Sequence, residues 1–384
     1  MARRRERERG ARRGADRPAT PGRTDPRADP VGRFAPRPTG AGLPTPGRLD
    51  EQLVEDLVDA GSREHYADAA LYDYEYRRRR ADVTFYREIA RRRGADRILE
   101  LGAGSGRVTV PLARDGRHVV AVDRSEAMLA QLRDRITRLP AAAAARITPV
   151  IGDLRSFSVP GRFPLAIAAF NVLEHLYTRG EVTACLQRIA AHLTPGGAFA
   201  FDVQLPDLAW LQRDPTRRWA RTRFTDPTTG RAMVYSTNHD YDPVSQIALI
   251  RLYYEPDEDA GQAARPGQPA TTPSARGLAP EQRQAQVRTE RSPSPRSGEE
   301  KRSEGRMEGD GPGRALEQRQ ARVVKLSQRK FFPAELEALV AHAGFRVVGR
   351  YGDFSFRPLD ATADSQVLVC EPVPKPPRKR PVSR

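Results

Sequence analysis

The stretch Arg97–Ser125, RILELGAGSGRVTVPLARDGRHVVAVDRS, decides how the rest of the chain is read. A short apolar run, Ile98 to Leu101, meets three glycines at alternate positions, Gly102, Gly104 and Gly106, and a helical pattern starts at Arg107. A second run, His118 to Val122, closes on Asp123, and Ser125 stands where a helix N-cap is expected. A bend without side chains lets a ligand approach the backbone and permits positive φ. In an open parallel sheet such a bend lies beyond the carboxyl ends of the strands, where ligands bind. A dinucleotide fingerprint G-x-G-x-x-G would need glycine at 107, where Arg107 stands. Glu100, two residues before the first glycine, would repel a pyrophosphate. A cationic ligand without phosphate suits the bend better.

The same rhythm continues. Ile147–Ile151, Leu165–Phe170 and Ala198–Val203 read as strands, and Glu181–Leu193 as a helix closed by TPGG. Strands that are apolar throughout, alternating with amphipathic helices, predict an α/β, Rossmann-like fold: a seven-stranded, mostly parallel sheet with helices on both faces. LDEQLVEDLVDAG and YEYRRRRADVTFYREIARRRG predict an N-terminal helical cap before it. AMVYSTNHDYDPVSQIALIRLYYE predicts a hairpin after strand five, and ARVVKLSQRKFF a strand able to join it, together a small antiparallel insertion. PAELEALVAHAG reads as a helix with Pro in its first turn, and FRVVGRYGDF and SQVLVCEP as two last strands.

Charge locates the parts that do not fold. Of the net +16, residues 1–50 supply +7, from 13 arginines against six acids, and Lys375–Arg384 supply +5. Both ends read as disordered basic tails, and 256–312, almost free of large apolar residues, as a disordered insertion. The folded domain is then 51–255 together with 313–374. With most of the charge in the tails, a nucleic-acid partner is not expected. Cys185 and Cys370 have neither disulfide nor metal-ligand spacing, and no metal is expected. No apolar run approaches the ~18 residues of a membrane span, and the arginine-rich start lacks the hydrophobic stretch of a secretory signal. The expectation is a cytoplasmic protein without membrane contact.

LELGAGSGR, VVAVDRSEAML, VIGDLRSF and FPLAIAAFNVLEHL, followed by LTPGGAFAFDV, resemble in order and spacing the landmarks of the class I S-adenosylmethionine-dependent methyltransferases. The resemblance implies S-adenosyl-L-methionine as cofactor. Glu100, Gly102, Ala103, Gly104 and Gly106 would wrap its methionine part, and Asp123 would take both ribose hydroxyls, with Arg124 and Met128 alongside. Asp153 would meet the adenine amino group, Leu154 would offer backbone contact, and Asn171 would line the site. Tyr72 and Tyr76, on one face of a cap helix, would cover the cofactor. Tyr76 and His175 are the candidate catalytic residues. Some relatives bind metal through an E-H element like Glu174–His175, but Asn171 replaces the further acid. Pro164 stands where many relatives have Asp, which puts pairing at the start of strand four in question. Trp210, Trp219, Tyr235 and Tyr241 either wall an acceptor pocket or form the core of the insertion.

The implied activity is in-line methyl transfer to a small-molecule acceptor, a reaction that depends mainly on orientation. Nitrogen is the slightly favoured acceptor by resemblance alone: antiparallel strands inserted after strand five and a YGDF turn near the end are similar to the plan of glycine-type and amino-sugar N-methyltransferases. The lack of one compelling base does not count against methyl transfer, because an amine need only arrive unprotonated. A nicotinamide oxidoreductase is disfavoured by Arg107 and Glu100. A nucleic-acid methyltransferase is a rival, but FNVL replaces the (Asp/Asn)-Pro-Pro-(aromatic) tetrapeptide of its amino-methylating kinds, and neither cysteine suits the cytosine-carbon kind. A cofactor-binding regulatory protein without catalysis is the other alternative.

Overall fold

The computed structural model describes residues 51–258 and 321–374. The expectations for the two tails, and for the insertion beyond residue 258, fall outside the described residues.

The cap is α1 (Glu51–Gly61), a 3-10 turn (Glu64–Tyr66), α2 (Ala69–Tyr76) and α3 (Ala81–Arg92). Then come β1 (Arg97–Leu101), α4 (Thr109–Arg114), β2 (His118–Asp123), α5 (Glu126–Thr137), α6 (Ala141–Ala144), β3 (Ile147–Ile151) and β4 (Phe163–Ala168). A second 3-10 turn (Val172–His175), α7 (Arg179–His192) and β5 (Leu193–Gln204) follow. The insertion is α8 (Leu208–Leu211), β6 (Trp219–Thr225), β7 (Ala232–Asp242), β8 (Ile247–Pro256) and β9 (Arg322–Arg329), and the chain returns through α9 (Pro333–His342), β10 (Phe345–Tyr351) and β11 (Ser365–Pro372).

The main sheet has the order β10-β11-β5-β4-β1-β2-β3. β1 to β5 pair in parallel, and β11 runs against both its neighbours. Two cores form because successive strand residues face opposite sides. Leu99, Leu101, Phe163, Phe199 and Phe201 pack on one side with α7 and α9 residues. Ile98, Leu165 and Ile167 pack on the other with Phe85 and Tyr86 of α3. Burying each such large side chain contributes about 1.5–3 kcal/mol. β6-β7-β8-β9 form a separate antiparallel sheet whose core includes Leu71 of α2.

Several boundaries differ from expectation. The helix after the glycine bend begins at Thr109 rather than Arg107, because the bend itself occupies the intervening residues. β5 begins at Leu193, so TPGG lies within the strand rather than ending a helix. Pro164 sits where the β4–β5 register shifts, between Phe163 and Leu165, which absorbs its missing N–H donor. WARTRFT was not expected to be a strand; β6 is half exposed at the sheet edge and carries no apolar run. Trp210 and Tyr235 are buried in the core of the insertion, with Trp210 stacked on His239.

Candidate active site

The glycine bend does what its composition suggests, with different reasons at each position. Gly102, Gly104 and Gly106 all have positive φ. A Cβ on Gly102 would strike Val172 at 2.5 Å, and one on Gly106 would strike Leu132 of α5 at 2.4 Å. One on Gly104 would meet nothing within 4 Å. Gly104 therefore faces open space, while Gly102 and Gly106 allow neighbouring elements to close in.

That open space is a cavity of about 280 Å³. Its floor is Gly102, Gly104, Asp123, Arg124, Ser125, Met128 and Leu154, at the carboxyl ends of β1, β2 and β3. Its roof comes from the cap (Ser62, Arg63, Tyr66, Ala67 and Tyr72), and its far wall from Ala169, Phe170, Val172 and His175. The Asp123 carboxylate accepts from Gly104 N and Ser125 N, both at 2.8 Å, and burial pushes its pKa up. Each oxygen keeps a lone pair for one further donor.

The bend is tied down from two sides. Arg107, the residue that breaks the dinucleotide pattern, donates bidentately to Asp82 of α3 at 2.8 and 2.6 Å, and Arg79 adds a bond of 2.9 Å. Burial works against the charge, but Arg107 and Arg79 hold the Asp82 carboxyl well below the usual range. Ser105 donates to Asp73 of α2 at 2.5 Å. On the far wall Phe170 and Asn171 have left-handed φ of 72° and 60°. Such non-glycine residues cost of order 1–3 kcal/mol each unless held. The fully buried Asp202 holds them, accepting from Phe170 N at 2.8 Å and Asn171 N at 3.2 Å, while Tyr86 donates to it at 2.6 Å.

Tyr66 Oη lies 2.6 Å from His175 Nε2, between the cap and the far wall. Burial, then Arg124, His65 and Lys330, push the His175 pKa down to about 3, so the ring is neutral. His65, behind Tyr66, is pushed down to about 4 by burial and then Arg322. The rings of Tyr66, Tyr72, Tyr76 and Phe170 form one aromatic cluster.

Seven of the expected residues line the cavity: Tyr72, Gly102, Gly104, Asp123, Arg124, Met128 and Leu154. Of the two catalytic candidates His175 lines it, whereas Tyr76 lies behind, 3.4 Å from His65. Glu100, Ala103, Gly106, Asp153 and Asn171 are not among the lining residues. Glu100 is buried against Thr109 Oγ1 at 2.6 Å, and burial pushes its pKa up to about 7. The Asp153 carboxylate is engaged by Arg155. Tyr66 was not singled out with Tyr72 and Tyr76. Ser62, Arg63 and Phe170 were missed, although the acid in the buried strand sequence FDV was a signal for the Phe170 turn. Among the described residues no group of His, Cys, Asp and Glu could hold a metal, and no helix is long and apolar enough to cross a membrane.

Residues 98–197 match the family model of a methyltransferase domain. The chain is 35% identical over 110 residues to the cypemycin N-terminal methyltransferase of a Streptomyces species, covering 28% of this chain and 42% of that protein. It is 26% identical over 233 residues to the dTDP-3-amino-3,4,6-trideoxy-alpha-D-glucopyranose N,N-dimethyltransferase of Streptomyces venezuelae, covering 56% of this chain and 89% of that one. The fold is similar to that of the CcbJ methyltransferase from Streptomyces caelestis (TM-score 0.52, 22% identity, 77% of this chain and 90% of that chain). Sheet order, glycine bend and sequence match agree: residues 98–197 carry a methyltransferase domain, on the fold of the class I S-adenosylmethionine-dependent methyltransferases.

Proposed function

We propose that the chain transfers a methyl group from S-adenosylmethionine to the amino nitrogen of a small molecule. The cofactor's chemistry fits the cavity. Gly104 leaves space for it, Asp123 offers two acceptor oxygens for two ribose hydroxyls, and Tyr66, Tyr72 and Phe170 suit a sulfonium. Met128 and Leu154 would flank the adenine, and Asp153, one residue from Leu154, could take its amino group beside Arg155. Glu100, Ala103, Gly106 and Asn171 support the bend and the far wall from behind. The bound cofactor supplies an electrophilic methyl.

The observation that carries the nitrogen acceptor is Tyr66 Oη set 2.6 Å from His175 Nε2, on a ring whose pKa burial pushes down to about 3. Moving a proton from an ammonium of pKa roughly 10 to an imidazole at about 3 would cost roughly 10 kcal/mol. A hydroxyl would be still harder to deprotonate. The pair therefore orients rather than abstracts: Tyr66 donates to His175 and accepts an N–H from an amine that has already lost its proton to solvent. That amine keeps its lone pair for the methyl. The relatives from Streptomyces venezuelae and Streptomyces fradiae, named for N,N-dimethylation of dTDP-linked amino sugars, favour the same acceptor class.

The test is product formation with paired acceptors, amino sugars (free and nucleotide-linked) and their hydroxyl counterparts, read as S-adenosylhomocysteine release. Turnover should be confined to amines and rise with pH as the ammonium deprotonates. Turnover of hydroxyl acceptors alone, or no binding of S-adenosylhomocysteine, overturns the reading.

A further inference from the structure

The hydrogen bonds behind His175 have a direction that follows from counting protons. Ser327 Oγ, fully buried on β9, lies 2.7 Å from the carbonyl oxygen of Val58. A carbonyl only accepts, so the single serine hydrogen is committed there. Tyr177 Oη lies 2.9 Å from that Oγ and 3.2 Å from the Ser327 carbonyl oxygen. Neither can now donate to it, so Tyr177 is the donor. Burial pushes the Tyr177 phenol up to about 12, so it carries that hydrogen at neutral pH. His175 Nδ1 lies 3.3 Å from Tyr177 Oη. With the tyrosine hydrogen committed elsewhere, the nitrogen must donate. A neutral imidazole protonated at Nδ1 is bare at Nε2, the atom that faces Tyr66.

We propose that Tyr177, held by Ser327 of the accessory sheet, is a positioning residue that fixes His175 as the Nδ1–H tautomer and so aims its bare Nε2 at Tyr66. The direction is then continuous, Tyr66 to His175 to Tyr177 to Ser327 to Val58. It gives the accessory sheet a part in the site beyond support. The groups facing His175 are consistent with this. Tyr66 and His65 come from the cap, Arg124 from the loop after β2, and Lys330 from beyond β9. The Ser327 carbonyl also favours a proton on the ring. The consequence for turnover rests on the proposed role of Tyr66 and His175; the tautomer itself does not.

The experiment is long-range 1H–15N correlation spectroscopy of the imidazoles in the full-length, 15N-labelled chain, with His175 assigned through His175→Gln. The wild-type ring should be protonated at Nδ1. Tyr66→Phe, which removes only the partner in front, should leave it so. Tyr177→Phe, which removes the hydroxyl acceptor behind, keeps the ring and leaves only the Ser327 carbonyl there, should bring in at least a tenth of the Nε2–H form. Unchanged S-adenosylhomocysteine binding would show that Tyr177→Phe remains folded. An Nε2–H ring in the wild type, a switch in Tyr66→Phe, or no change in Tyr177→Phe overturns the proposal. The expected tautomers combined with full amine turnover by His175→Gln would support the proposal and overturn the functional reading instead.

Discussion

Nζ of Lys330 lies 2.7 Å from Oε2 of Glu174, and both side chains are sealed from solvent. The ammonium also donates to Gln204 Oε1 at 2.9 Å and Gln328 Oε1 at 2.8 Å, which uses all three of its hydrogens. Glu174 Oε1 accepts from Gln204 N at 2.8 Å. This cluster joins the end of the accessory sheet to the turn that carries His175 and to the end of β5.

Removing one member should therefore cost more than removing two. Lys330→Met leaves a buried carboxylate without its cation and should destabilise the fold by about 3–5 kcal/mol. Adding Glu174→Gln, which keeps the acceptor for Gln204 N, should recover most of that loss. Urea unfolding of the two variants measures it. Equal stabilities would show that Lys330 does not compensate Glu174.

Asp123→Ala should weaken S-adenosylhomocysteine binding by about 1–3 kcal/mol, or roughly 5- to 150-fold, because two hydroxyls lose their acceptors. Isothermal calorimetry decides it. An unchanged affinity would remove Asp123 from the proposed ribose site.

Gly104 and Gly106 should separate by phenotype. Gly106→Ala drives a methyl against Leu132 and should lower the melting temperature more than Gly104→Ala. Gly104→Ala pays for its positive φ alone, by about 1 kcal/mol, but puts its methyl where the cofactor is proposed to lie. It should therefore lose affinity for S-adenosylhomocysteine by at least tenfold. Thermal melts beside calorimetry would expose a reversed order.

Two kinds of buried group give opposite pH slopes. Glu100, raised to about 7 in the folded chain, contributes stability that is complete below its unfolded pKa near 4.5 and is lost as pH rises through 7. The full swing is about 3 kcal/mol. His175 and His65, lowered to about 3 and 4, stabilise above 6.5, and that contribution is lost as pH falls through those values. Glu100→Gln should thus gain stability relative to wild type between pH 5 and 8. A wild-type-minus-variant difference that is flat with pH would refute the buried, protonatable Glu100.

Much of the fold was legible locally. The alternation of apolar runs with helical spacing, the serine cap at Ser125 and the glycines after β1 all express short-range rules, and the main sheet follows from them. The floor of the cavity was legible for the same reason, since Gly102, Gly104 and Asp123 sit at the ends of recognisable strands. Glu100 read as a ligand neighbour because its place in the motif was visible and its direction was not; its carboxyl turns to Thr109 instead.

What chain order alone determined, then, is the scaffold: which segments form the main sheet, where the side-chain-free bend falls, and the methyltransferase domain they match. Three-dimensional packing alone decided the wall opposite that bend. Tyr66 meets His175 across 109 residues, and Tyr177 meets Ser327 across 150. No periodicity links such positions, because a hydrogen bond between distant segments depends on how two sheets and a helical cap settle against each other.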